Sequence, residues 1–296
     1  MTAPCQRLRV RSRIRRFLLT LLLATLCLPV ACAPGPKPDA GQAAVPGPAE
    51  TWKRFIDGAR GRDSAPAFTL TASLHYAGPE GSNRVVIRFW GNIGYPLRLD
   101  LQAGIGQLIA LWREDQVGFT AYVPDKKTAF VHKDSKLGMA AFGIRLPFTL
   151  DELARLLNGR WDSLFPATYV SHRLLPERGY SYAFAGEGQT WTVQLDFSGR
   201  PIALDTPGPE SWHLEFSGEV PEAAGIPERI RMTREPEEKA ILQIKKLQQL
   251  PEKLPPDKLE LDFPPDTRIH ILENTSMQQP DSSPATRFPD GVRRHG

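Results

Sequence analysis

The chain has 296 residues, with 37 basic and 33 acidic side chains, six histidines and three cysteines. Six arginines and no acid fall within residues 1–31, so the remainder holds 31 basic against 33 acidic groups, and a nucleic-acid partner loses its compositional support. Cys5, Cys27 and Cys32 all lie near the N-terminus, which excludes a disulfide framework, a thiolate zinc centre or a thiol nucleophile from the rest of the chain.

Arg7, Arg9, Arg11, Arg13, Arg15 and Arg16 precede an apolar run from Phe17 to Val30. A basic head followed by a run shorter than the roughly 20 residues of a membrane span reads as an export signal over 1–31. Leu28-Pro29-Val30-Ala31-Cys32 resembles a bacterial lipobox, with small Ala31 before the cysteine. This implies lipidation at Cys32 and several acyl chains as a stable membrane anchor. Ala33, not Asp, follows the cysteine, which by resemblance to sorting rules implies the outer membrane, facing the periplasm. Residues 32–48 are rich in Pro, Gly and Ala and read as an extended tether, at about 3.1 Å per residue.

A domain is expected over 49–273. Trp52, Phe55, Ile56 and Ala59 share one helical face. From Phe68 onward, two-residue alternation predicts strands. The first group is Phe68–Tyr76, Arg84–Trp90, Leu97–Leu101, Leu108–Trp112, Val117–Val123 and Thr128–His132. Leu137–Ile144 is apolar and glycine-rich, and predicts a loop or short helix. Thr149 and Glu152 form a capping box ahead of Leu150, Leu153, Ala154, Leu156 and Leu157, and Gly159 suits the helix end. Strands resume with Tyr180–Phe184, Trp191–Phe197, Pro201–Leu204, Trp212–Phe216, Ile230–Thr233 and Ala240–Leu247. Residues 274–296 read as a disordered tail. The expected fold is α+β, mainly β: a half-open antiparallel barrel of about eleven strands with a helical lid.

No catalytic constellation emerges. The histidines are scattered singly, with no metal-ligand spacing. Gly-x-Ser-x-Gly and phosphate-loop patterns are absent. Asp151 and Glu152 suit a helix N-terminus, where acids complement the dipole. What remains is an apolar interior: Phe68, Leu70, Leu74, Ile87, Phe89, Leu99, Leu101, Phe119, Phe130, Trp191, Leu195 and Phe197. Sequence alone does not separate a packed core from a ligand-sized cavity.

The stretch Tyr95-Pro96-Leu97-Arg98-Leu99-Asp100-Leu101-Gln102-Ala103-Gly104-Ile105-Gly106 resembles the strand–loop–strand of the Lol lipoprotein-sorting family (LolA/LolB). Gly143 to Gly159 resembles the segment leading into that family's lid helix, and Ile226-Pro227-Glu228-Arg229-Ile230 suits its closing strand. The resemblance implies a non-enzymatic, cofactor-free, monomeric protein that holds acyl chains of lipoproteins or other lipids in its barrel. A periplasmic lipoprotein carrier would be its partner, and it would meet the membrane through its anchor. It further implies that Gly104, Ile105 and Gly106 form a membrane-insertion loop and that Leu150, Leu153, Leu156 and Leu157 form the lid. A structural or assembly lipoprotein with no ligand stands beside this reading. So does an envelope hydrolase, which would need a polar cluster in a cleft.

Overall fold

The computed structural model describes residues 45–61, 65–78, 81–104, 106–142, 144, 146–186, 189–208, 211–234 and 238–272. The export signal, Cys32, most of the tether, Ile105 and the 274–296 tail lie outside the described residues. The chain divides at Val45, and residues 46–296 form one compact unit. Every residue of the principal core, from Trp52 to Leu247, belongs to this unit, so it carries its complete interior.

Among the described residues, fourteen strands form a single sheet. The first meander is β1 (Ala67–Gly78), β2 (Gly81–Asn92), β3 (Leu97–Gln102), β4 (Leu108–Glu114), β5 (Phe119–Val123) and β6 (Thr128–His132). The second is β7 (Ser171–Leu175), β8 (Gly179–Gly186), β9 (Gln189–Leu195), β10 (Pro201–Asp205), β11 (His213–Ser217), β12 (Arg229–Arg234) and β13 (Glu238–Leu250). Antiparallel pairing of β1 with β13, from Ala67↔Leu250 to Ala77↔Lys239, sews the two meanders together. A bulge at Thr71/Ala72 leaves Lys245 without a register partner.

Two expectations are corrected here. The sheet has fourteen strands, not eleven, and it is mixed: β14 (Arg268–Ile271) pairs parallel to β6. It does not close, because β14 and β7 are its two edges. Those edge strands are the ones the alternation rule misses. Nearly all their residues are exposed, so β7 needs no apolar phase, and the alternation of β14 is only four residues long.

Along β1 the burial alternates, with Phe68, Leu70, Ala72 and Leu74 facing the interior. The same phase on β2 and β3 supplies Val85, Ile87, Phe89, Leu97, Leu99 and Leu101. Successive antiparallel turns alternate between two rims. One rim carries the Gly78–Gly81 hairpin end, the β3–β4 turn and the end of the β12–β13 hairpin at Arg234–Glu238.

Helices occupy the concave side. α1 (Pro48–Arg60) buries Thr51, Trp52, Phe55, Ile56 and Ala59. β6 and β7 are consecutive in sequence but stand at opposite ends of the strand order. Residues 133–170 must therefore cross the sheet. This crossover carries α2 (Ser135–Ala140), α3 (Leu150–Leu157) and a single 3₁₀ turn at Trp161–Ser163. The capping box of α3 is present in both directions, and Gly159 takes φ 71° at its end, where a Cβ would be strained.

The convex side is partly covered as well. Pro-rich residues 251–267 run across β2 to β5 before entering β14. Asn92 exchanges two hydrogen bonds with the backbone of Leu254, at 3.0 and 2.7 Å. The Trp90 indole donates to Lys258 O at 3.1 Å, and Arg98 donates to Glu260 O at 2.7 Å. Leu261 packs with Leu111, Tyr122 and Ala129 in a small outer core.

Candidate functional site

The concave face is one continuous apolar surface. Phe68, Leu70, Leu74, Ile87, Phe89, Leu99, Leu101, Phe119 and Leu195 are all buried in a single cluster, and Phe130 and Trp191 pack half-buried against it. Leu150, Leu153, Leu156 and Leu157 of α3 belong to the same cluster. The apolar strand residues and the α3 leucines thus share one buried cluster. Gly104 and Gly106 lie in the β3–β4 turn; Ile105 lies outside the described residues.

In this conformation much of the interior is packed. Phe68, Leu70, Phe89, Leu99, Leu101, Phe119 and Leu195 are each at most 3 % exposed, while Phe130 and Trp191 stay half-buried. Aromatic side chains do much of the filling. Trp52 of α1 stands 5.0 Å from Tyr182, and Phe55 stands 5.8 Å from Phe165. Trp161 meets Phe216 edge-on at 5.2 Å, and Phe165 meets Phe184 edge-on at 4.8 Å, the geometry that the ring quadrupoles favour. At the other end Trp112 packs on Phe119 at 5.6 Å, and Phe142 packs on Phe130 at 5.2 Å.

The aromatic plug of Trp52, Phe55, Trp161 and Phe165 was missed as part of the site. The helical face of Trp52 and Phe55 is readable, but not which side of the sheet it covers. Trp161 and Phe165 are one helical turn apart, a weak signal in a segment with no helix beyond one 3₁₀ turn.

The lid's polar attachments gather at its N-terminus. Glu114 is the last residue of β4 and points inward in the phase of Ala110 and Trp112. Its Oε1 accepts the Tyr95 hydroxyl at 3.2 Å, and its Oε2 accepts the Asp151 backbone N–H at 3.3 Å. Asp151 in turn accepts the Gly94 N–H at 3.1 Å and the Arg155 guanidinium at 2.7 Å. Burial pushes the Glu114 carboxyl up to about 7, against the hydrogen bonds it accepts. Burial first, then the Glu114 charge, pushes the Tyr95 phenol well above its ordinary range. At the other end of the lid, Gln249 of β13 donates to Asn158 O at 3.4 Å. A row of inward residues ending in Glu is the sequence signal that could have found this carboxylate.

Elsewhere the ionisable groups are dispersed. Among the described residues no group of three or more His, Cys, Asp or Glu side chains is placed to hold a metal ion. His132 is buried, and its Nδ1 accepts the Asp134 N–H at 2.8 Å, a structural role at the start of α2.

No family model and no curated relative matches the sequence. Solved structures do. A LolA superfamily protein from Nitrosomonas europaea aligns with a TM-score of 0.51 at 10% identity, over 71% of this chain and 98% of that one. A putative outer membrane lipoprotein-sorting protein domain from Vibrio parahaemolyticus aligns at 0.42 and 13% identity, over 68% of this chain and 92% of that one. A DUF1329 family protein from Desulfovibrio piger aligns at 0.44 and 9% identity, over 69% and 94%. At such identities the first match shows a shared fold: this chain has the LolA-superfamily fold, an open curved sheet with helices on its concave side.

Proposed function

We propose that this chain is a non-enzymatic envelope protein that binds acyl chains between its concave sheet and the α3 lid. The observation that carries the reading is the topology of the crossover. It lays a two-turn amphipathic helix over an apolar face continuous from β4 to β9, and polar bonds hold that helix mainly at one end. The fold shared with a LolA superfamily protein supports acyl chains of lipoproteins or other lipids as cargo. A lipidated Cys32 would place the domain at the outer membrane on its tether, as receptor for a soluble carrier. Gly104, Ile105 and Gly106 would serve as its insertion loop.

The energetics are those of exchange. Lifting α3 exposes four leucines, each costing about 1.5–3 kcal/mol. An acyl chain of about sixteen carbons gains about 0.8 kcal/mol per CH₂ buried, on the order of 12 kcal/mol in all. The two are of one size, so a chain can replace the lid on the sheet without a cofactor or a covalent step. Transfer then runs down an affinity gradient towards the membrane.

The rival reading is a structural or assembly lipoprotein with no ligand, whose interior would be packed throughout. Binding of a fluorescent acyl probe to residues 46–296, with a tri-acylated lipopeptide as competitor, separates the two. Saturable, displaceable binding that raises hydrogen exchange across α3 supports the carrier. A folded domain that binds neither probe is the scaffold.

A further inference from the structure

The convex face of β1, β2, β12 and β13 carries charge that the interior does not explain. Register fixes which side chains share this face. Arg88 lies opposite Thr71, which lies opposite Lys246; Arg84 lies opposite His75; Gln243 lies opposite Arg229. With Lys239 and the bulge residue Lys245, six cations occupy three strands of one face. None of the six has a carboxylate within ion-pair distance among the described residues. Arg231 beside them is paired with Glu215 at 3.2 Å. Among the described residues the other nearby acids are Asp100, paired with Arg98 at 3.2 Å and directly opposite Arg88 in register, and Glu228, which accepts from Gln243 at 2.7 Å.

Three of the cations enclose an open groove of about 450 Å³. Arg84 forms one wall, and Arg229 and Lys245 form the other. Ser73, His75 and Gln243 make the floor, and His75 bonds Ser82 at 2.7 Å on the rim. The Arg229 Nε is buried with no partner among the described residues. The chain beyond residue 31 has a small acidic excess, so this concentration of free positive charge is local.

We propose that this convex groove and its flanking lysines are a docking surface for the phosphate headgroups of an anionic lipid bilayer. Convergent guanidinium and ammonium groups over hydroxyl and amide donors match phosphate oxygens. Six cations spread over three strands, of which Arg88 alone faces a carboxylate across the sheet, fit an extended anionic plane better than one small anion. Each basic group near such a surface contributes about 1 kcal/mol, so together they hold the domain in one orientation on it. The groove lies at the Gly78–Gly81 end of β1 and β2, on the rim shared with the β3–β4 turn. Docking there turns that rim towards the lipid. This inference does not depend on acyl-chain binding inside the sheet.

The test uses residues 46–296, whose core is complete without the N-terminal segment. Sedimentation with phosphatidylcholine vesicles is compared with vesicles holding about 30 % phosphatidylglycerol. Expected is binding to the anionic vesicles only, lost in ~0.5 M salt. Reversing two exposed cations, Arg84→Glu with Lys245→Glu, should weaken it by about tenfold or more, while Arg178→Glu on the β7–β8 turn leaves it unchanged. The double variant should still bind an acyl probe to the extent that the wild type does. Equal binding to neutral vesicles, or no effect of the double reversal, overturns the proposal. So does displacement by inorganic phosphate at constant ionic strength, which identifies a soluble-anion site instead.

Discussion

The Glu114 carboxylate accepts the backbone N–H of Asp151 across 3.3 Å, joining the end of β4 to the first turn of α3. A carboxylate at a helix N-terminus is favourable electrostatically. This one is also buried, and burial disfavours its charge more than the bonds favour it. The joint between sheet and lid is thus made by a group that changes charge near neutrality.

Stability should follow that titration. The Glu114 pKa is raised from 4.5 in the unfolded chain to about 7 in the fold. The folded state therefore holds the proton more tightly, so its contribution is complete below pH 4.5 and is lost as pH rises through 7. The difference amounts to about 3 kcal/mol. Urea denaturation of residues 46–296 at pH 5 and pH 8 should show this decline, and Glu114→Gln should flatten it. An unchanged slope in the variant would assign the pH dependence to other groups.

The lid's own start is a separate lever. Thr149 caps α3 by accepting the Glu152 N–H at 3.1 Å, and Glu152 returns a bond from the Thr149 N–H at 2.8 Å. Thr149→Ala should cost about 1 kcal/mol. If the lid gates an acyl site, hydrogen exchange should rise in 150–157 before it rises in β1 or β13, and a fluorescent acyl probe should bind faster. Faster exchange everywhere would instead mean that α3 opens only with the whole domain.

Close packing predicts a third effect. A Cβ built on Gly138 of α2 would stand 2.3 Å from the Phe119 ring, which is itself fully buried. Gly138→Ala gains helix propensity yet should destabilise the domain by about 1–3 kcal/mol through overpacking. Thermal melting decides it: a raised Tm would show that Phe119 has room to turn.

These cases mark what the sequence makes legible. Strands such as β1 and β3 bury one face, so alternation locates them, and the Thr149–Glu152 box locates α3 because its signal is local. β7 buries almost nothing and shows no alternation, while β14 alternates over only four residues, with Ile269 and Ile271 both exposed. The convex position of residues 251–267 depends on bonds to Asn92, Arg98 and Arg113, all more than 140 positions away in the chain. The apolar residues of the site were readable as a set. Whether they enclose space was not, because that depends on where the crossover from β6 to β7 lays Trp161 and Phe165.

That convex segment supplies the last prediction. Arg113 donates through Nε to Leu259 O at 3.1 Å, pairs with Glu260 at 3.1 Å, and is braced by Asp115 on its own hairpin. These are charge-assisted bonds to a segment that otherwise rests on a small outer core of Leu111, Tyr122, Ala129 and Leu261. Arg113→Ala should weaken the attachment by about 1.5–3 kcal/mol. Limited proteolysis should then cut within 251–267 earlier than in the wild type. Ending the chain after Leu250 goes further, because it uncovers Leu111 and Tyr122 together and leaves the β6 edge unpaired. Apolar area next to a free strand edge favours self-association. Sedimentation should find this shortened chain associating with rising concentration while the Arg113→Ala protein keeps the association state of the wild type. A shortened chain that behaves as the wild type would show that the segment lies on the sheet without protecting it.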